Sequence, residues 1–324
     1  MKRSLHILAL ILSFVLLLVF SQLPLHLPGD SSALVEKKYD SWSGVLRAWV
    51  CSDWSCDGSF MSWLNGCAVQ FEKDHPGVYV EFSNVTEQTL NDLPQSGLRP
   101  PELLFFSPGV FHNPSILDPI PGSTPSIVSG SKSLAVCMGA YAWVVNTALC
   151  DTIPDSPICL PDEPGRSFSL AAEGLAGSAA EFKFVDPGID LGLTASAPVK
   201  ASLDAFINGE TPALIISQSE LSKLISLREA GRGPEWRCVP SGSYMYADQL
   251  LLGSVVSGSD ESASVRNALA HAFLQFLLTD ECQQKLASIH AFPATRLTIY
   301  PAASAYAAME GMLRSLPLTV PALF

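Results

Sequence analysis

The chain has 324 residues, 48% of them hydrophobic and 15% charged, with a formal net charge of −12. That composition belongs to a packed globular protein and excludes a disordered one. The acidic balance argues against nucleic acid and anionic membrane surfaces as partners, and is compatible with neutral or cationic small ligands.

In chain order, the N-terminus opens with Lys2 and Arg3 and continues into an apolar run over 7–20. A basic pair followed by such a run fits a secretory signal, and Val19 and Ser21 permit cleavage after Ser21. Counted from Leu5 to Leu23 the run is also marginally long enough to span a bilayer, so a cleaved signal and an uncleaved anchor both fit. The polar stretch 30–43 reads as a tether. VLRAWV (45–50) is a β-rich run. From Phe60 the apolar residues Phe60, Trp63, Leu64, Cys67, Ala68 and Phe71 fall on one helical face. Asp57 or Ser59 is placed to cap that helix, and His75-Pro76-Gly77 stops it. VYVEF (78–82) reads as a strand, a short helical segment follows, and ELLFF (102–106) is the next strand. Strand, helix, strand, helix, strand predicts a parallel α/β sheet, which takes ligands at the carboxyl ends of its strands.

Residues 107–133 are rich in Pro, Ser and Gly and read as loop. LAVCMGAYAWVVN (134–146) is a long β-prone run, long enough to pass from one lobe to another. ASLDAFING (201–209) reads as a helix closed by Asn208-Gly209, and PALIIS (212–217) as a buried strand leading to a helix at 220–229. QLLLGSVVS (249–257) is a further strand. Val265, Leu269, Ala272, Phe273, Phe276 and Leu277 predict a strong helix, and Thr279-Asp280 can cap the next one, which carries Leu286.

The eight cysteines are Cys51, Cys56, Cys67, Cys137, Cys150, Cys159, Cys238 and Cys282. An even number in an exported chain permits disulfides, with Cys51/Cys56 and Cys150/Cys159 as local candidates and buried thiols as the other reading. No C-x-x-C occurs and no His lies near the Cys pairs, so no zinc site is expected. Enzyme signatures are weak. There is no G-x-S-x-G elbow, no phosphate-cradling loop and no H-E-x-x-H, and His75, His112, His271 and His290 are scattered. Ser129-Gly130-Ser131-Lys132 is a formal S-x-x-K without its partner motif. The expectation is a non-enzyme with no cofactor and no metal.

Three blocks together resemble a known family. These are the stretch 45–111, including FEKDHPGVYVEF (71–82) and PELLFFSPGVF (101–111); AFINGETPALIIS (205–217); and NALAHAFLQFLLTDECQQKLASIHAFPATR (267–296). In order and spacing they resemble the extracellular solute-binding proteins of ABC importers, the sugar-binding type related to maltose-binding protein. The resemblance implies an α/β, two-lobed periplasmic-binding-protein-like fold with a hinge of crossing strands and a ligand cleft between lobes that close on it. It implies crossings near 134–139 and 238–243, a segment 1–43 for export and tethering, a first lobe of 44–133 plus 240–292, and a second of 134–239 plus 293–324. The second lobe is shortened between Cys150 and Ala201. Implied partners are a small solute, a carbohydrate by class, and ABC permease subunits, with membrane contact through the N-terminal segment if it is uncleaved. The location would be extracytoplasmic and the state monomeric.

Sugars suit aromatic platforms beside amide, carboxylate and hydroxyl groups. The candidates at strand ends and crossings are Asp53 and Trp54 after the first strand, Phe106 and Ser107 at the end of the third, Tyr141 and Trp143 after the first crossing, Gln218 after 213–217, and Tyr244 and Tyr246 at the second crossing. Where the family often places an aromatic, Gln218, Ser219 and Glu220 stand. With the shortened second lobe, this motivates an alternative: the same fold with a degenerate cleft, acting as a structural or sensory surface protein.

Overall fold

The computed structural model describes residues 42–51, 59–95, 97, 99–107, 110–122, 124–127, 129–151, 160–161, 195–197, 199–238, 245–260 and 262–315. The expected export segment, and with it Met1–Asp40, the first of two contact units, lies outside them. So do Asp53, Trp54, Cys56, Cys159 and Tyr244. Everything below belongs to the second unit, Ser41–Phe324.

β1 (Gly44–Cys51) alternates up to Val50: Leu46, Ala48 and Val50 are buried while Arg47 and Trp49 between them are half-exposed, the signature of a strand with one covered face. α1 (Ser59–Asp74) follows, and all six residues of its expected apolar face, from Phe60 to Phe71, are buried. The chain leaves α1 through His75-Pro76-Gly77. Gly77 takes φ +88, a left-handed turn that glycine adopts without a Cβ penalty, and its carbonyl accepts from the Gly44 N–H at 2.9 Å, fastening the turn to the start of β1. β2 (Val78–Asn84) then lies parallel to β1, with Gly44 opposite Val78 and Val50 opposite Asn84. After α2 (Glu87–Asn91), β3 (Leu103–Phe106) adds in parallel on the other side of β1, with Cys51 opposite Phe106.

β4 (Leu134–Asn146) has the bounds expected from sequence. Beyond it come a short parallel pair, β5 (Leu160–Pro161) with β6 (Ala195–Ala197), then α3 (Val199–Ile207), β7 (Ala213–Ser217), α4 (Gln218–Glu229) and β8 (Trp236–Cys238). β9 (Met245–Val255) starts earlier than the run from Gln249 predicted. It is followed by α5 (Ala263–Leu277), α6 (Asp280–Gln284) running into a 3-10 turn (Lys285–Ile289), β10 (Phe292–Pro293) and α7 (Ala305–Ser315). One sheet joins them in the order β10-β4-β9-β3-β1-β2, with β7 and β8 also paired to β4. β9 runs antiparallel to both β3 and β4.

α5 differs from its expected face. Leu269, Phe273 and Leu277 are buried as anticipated, but Val265, Ala272 and Phe276 are only half-buried, while Ala263, Arg266, Ala270 and Leu274 take the inward positions. The cause is Arg266, which lies beside the buried Glu102 carboxylate, its Nε 3.2 Å from Oε1. A purely apolar pattern cannot register an inward arginine that is paired. Thr279 occupies the N-cap position of α6, but its hydroxyl donates back to the Phe276 carbonyl at 2.7 Å instead of capping. Among the described residues no helix is long and apolar enough to cross a membrane.

Candidate functional site

β4 and β9 form a bridge through the sheet. At one end, Ala135 of β4 lies opposite Leu252 of β9, which lies opposite Phe106 of β3, which lies opposite Cys51 of β1. At the other, Tyr141 of β4 is flanked by Tyr246 of β9 on one side and Ser217 of β7 on the other. The directions decide the rest. β1 and β3 run toward the Tyr246 end of the bridge, because residues after Phe106 correspond to β9 positions below Leu252. β7 runs the opposite way along β4, so its carboxyl end points back toward Ala135. The carboxyl ends of three strands therefore converge from two directions on one stretch of bridge, Cys137–Gly139 against Leu251–Gln249. Leu252 and Tyr246 are six residues apart, a separation of about 20 Å at strand rise. Carboxyl ends of strands meeting over a crevice are where open α/β sheets bind ligands.

The loop leaving β3 is organised by a residue the sequence did not single out. Asn91, the last residue of α2, donates to the Val110 carbonyl at 2.7 Å and accepts from the His112 N–H at 2.9 Å, while its own carbonyl accepts from the Asn113 amide at 3.1 Å. One amide side chain thus shapes the turn of chain that borders the convergence. Its sequence signal, a polar residue closing a short helix before a Pro-rich loop, is too common to select.

Of the expected site residues, Phe106 and Ser107 sit at the converging end of β3 but are 1% and 2% exposed. The Phe106 ring packs 5.3 Å from that of Phe111, and Ser107 N–H donates to the Cys51 carbonyl at 3.2 Å. In this conformation both are packing residues. Gln218 is 0% exposed, and its carbonyl accepts from the Tyr306 hydroxyl at 3.1 Å. Tyr141 and Tyr246 are register partners on the bridge, and Trp143 lies opposite Ile215 two positions along. The side chains of these three, and the whole of Asp53, Trp54 and Tyr244, are outside the described residues.

Glu220 has a local task. Its carboxylate accepts from the backbone N–H of Ser217 at 3.1 Å and from the Ser217 hydroxyl at 3.2 Å, while Ser217 accepts from the Glu220 N–H. This capping box satisfies the exposed donors of the first turn of α4, so the end of β7 is closed by its own side chains. Beneath it lies an aromatic group: the rings of Tyr300 and Tyr306 stack at 4.9 Å, and His290, in a left-handed conformation at φ 57, stacks on Tyr306 at 5.4 Å. Burial raises the pKa of the Tyr306 hydroxyl and lowers that of His290, disfavouring the charged form of each.

Lys132 of the S-x-x-K sequence donates to the Pro114 carbonyl at 2.9 Å. His271 stands 4.0 Å from an Asp118 carboxylate that already accepts from Ser257 and Asn267. No group of three or more His, Cys, Asp or Glu side chains among the described residues could hold a metal ion.

No family model matches the sequence, and no curated protein matches it. Solved structures do match. A putative extracellular solute-binding protein from Bordetella parapertussis aligns at a TM-score of 0.60 with 14% identity, over 86% of this chain and 94% of that one. The maltodextrin binding protein MalE1 from L. casei aligns at 0.54 with 12% identity, over 86% and 88%. The GacH receptor of Streptomyces glaucescens, solved unliganded and with acarbose, aligns at 0.52 with 17% identity, over 85% of each chain. At such identities the likeness is one of fold: the chain has the two-lobed α/β fold of the extracytoplasmic solute-binding proteins.

Proposed function

We propose that the protein is the extracytoplasmic solute-binding component of an ABC importer. It captures a small solute, a carbohydrate by class, and hands it to permease subunits without chemical change. One observation carries this reading: the carboxyl ends of β1, β3 and β7 converge on the bridge of β4 and β9. A pocket built there draws walls from two parts of the chain joined only by a few strands, the arrangement that hinge closure uses. The lobes are 44–133 plus 240–292 and 134–239 plus 293–324, and the segment 1–43 serves export or anchoring. Carbohydrate is favoured by the aromatic register pair Tyr141 and Tyr246, and by relatives in fold whose names carry maltodextrin and acarbose. Asp53, Trp54, Trp143 and Tyr244 complete the proposed contacts. Phe106, Ser107 and Gln218 support them from beneath.

Thermal unfolding of residues 41–324 against a panel of neutral mono- and oligosaccharides tests the reading. A true ligand at a hundredfold excess over its Kd stabilises by about 2.7 kcal/mol and raises the melting temperature by roughly 5–10 °C. Calorimetry of the same ligand then gives the affinity. A panel that moves neither the melting temperature nor the calorimeter, extended to amino acids and polyamines, would overturn solute capture in favour of the degenerate-cleft alternative.

A further inference from the structure

We propose that Cys67 and Cys282 are a disulfide-forming pair, joined when the chain folds under oxidising conditions. Sequence spacing favoured neighbours such as Cys51/Cys56, and these two are far apart in the chain. The fold brings them together. Cys67 lies on the inner face of α1, Cys282 lies in α6, both are 0% exposed, and their thiols are hydrogen-bonded to each other. Two fastenings keep them there. Trp63, one turn before Cys67, donates from its indole Nε1 to the Cys282 carbonyl at 3.0 Å. Gln283, the next residue, is fixed by hydrogen bonds to Val136, Leu277 and Ala294. A disulfide tolerates little deviation in the placement of its two residues, and here both backbones are held independently of the sulfurs.

The pair is also chemically unequal. Accepting from Cys67 holds the Cys282 thiol below its ordinary value, while donating, together with burial, pushes Cys67 well up. Those shifts belong to the folded pair; before α1 and α6 close, the thiolate of either cysteine can attack a disulfide, and Cys282 is taken as the first. With glutathione disulfide as oxidant, Cys282 attacks one of its sulfurs and expels a glutathione thiolate, leaving a mixed disulfide. Cys67 then gives up its proton, attacks the Cys282 sulfur and expels the second glutathione. The protein loses two protons and two electrons, and the oxidant's S–S bond is reduced to two thiols. Neither sulfur is exposed in the folded chain, so exchange belongs to folding, before α1 and α6 close. The same burial seals the product from reductants. Packing alone supports the pairing, which does not depend on solute binding.

Residues 41–324 are refolded in a glutathione redox buffer, residual thiols are alkylated in denaturant, and non-reduced peptides are mapped by mass spectrometry. The expected result is a Cys67–Cys282 linked peptide, and a melting temperature lowered by roughly 5–15 °C when the protein is refolded with reductant instead. The Cys150→Ser variant keeps both. The Cys67→Ser/Cys282→Ser double variant, refolded with and without oxidant, loses the redox-dependent shift. Alkylation of both cysteines after oxidative refolding, or linkage of either to a different cysteine, overturns the proposal. If the double variant fails to fold, the wild-type peptide map decides alone.

Discussion

Gln283 is a buried amide with every need met. Its nitrogen donates to the Val136 carbonyl at 2.9 Å and the Leu277 carbonyl at 2.7 Å, and its oxygen accepts from the Ala294 N–H at 2.8 Å. Gln283→Leu keeps the volume and orphans those backbone groups in a site that is 0% exposed. At roughly 1–3 kcal/mol per unsatisfied group, the substitution should cost about 3 kcal/mol or more. A denaturant midpoint unchanged within about 0.5 kcal/mol of stability would show that the clamp does not hold. His271 gives a second residue-scale test. Burial lowers its pKa, and Asp118 opposes that only in part. An unfolded histidine titrates near pH 6.5, so below that value the unfolded chain binds the proton first. The neutral form's contribution is present above about pH 6.5 and is lost as pH falls toward the lower folded value. His290 shifts the same way, through burial. The stability gap between wild type and His271→Gln, measured by urea unfolding, should therefore narrow between pH 7.5 and 5. A gap constant across that range would refute it. Neither Gln283 nor Asn91 was legible beforehand, because an amide's worth lies in partners drawn from distant segments.

At the scale of elements the sequence was far more informative, and its failures are specific. The α1 face from Phe60 to Phe71 was read correctly because every inward residue is apolar. α5 was read one step out of phase because Arg266 turns inward to Glu102, with Asp260 accepting from its far nitrogen at 2.5 Å. Thr279 has the residue type of a cap, yet its hydroxyl donates to the Phe276 carbonyl and its oxygen accepts no capping bond from the first turn of α6. Conversely, the serine that does cap, Ser217, was read as a strand residue, since one position serves both as the end of β7 and as the N-cap of α4. Ser217→Ala removes the hydroxyl from the capping box and should destabilise the protein by about 1 kcal/mol. Glu220→Ala should cost a similar amount, and the double variant less than the sum, because the two share one motif. Additive losses in equilibrium unfolding would show that the box does not act as a unit.

For the whole molecule, the parallel start of the sheet and the long strand at 134–146 were visible as patterns. The convergence of three strand ends was not, because it depends on pairing directions that no single segment carries. Aromatics that packing consumes also cannot be told in sequence from aromatics left for a ligand, and Phe106 is the case in point. Hinge closure should register as a smaller radius of gyration in X-ray scattering when a ligand identified by melting is added. Tyr141→Ala and Tyr246→Ala should each weaken that ligand at least about tenfold, the cost of losing one stacking partner. Binding equal to wild type in both variants would remove the register pair from the site.

The register of β4 against β9 slips twice, between Ala135 and Cys137 and between Gly139 and Tyr141. A slip of this kind breaks the ladder and bends the strand. β4 is thereby divided like a jointed rod, with Ala135 on one arm, Tyr141 on the other and Cys137–Gly139 as the coupling between them. At the first joint, Val136 gives its carbonyl to Gln283, so that joint is pinned. The second, at Ala140, is followed at once by residues paired with β7. Torque applied to the far arm would be taken up first at this second joint, and because β9 there carries one residue more than β4, deleting Ala247 should remove the bulge and stiffen the coupling while leaving the two ends of the rod intact.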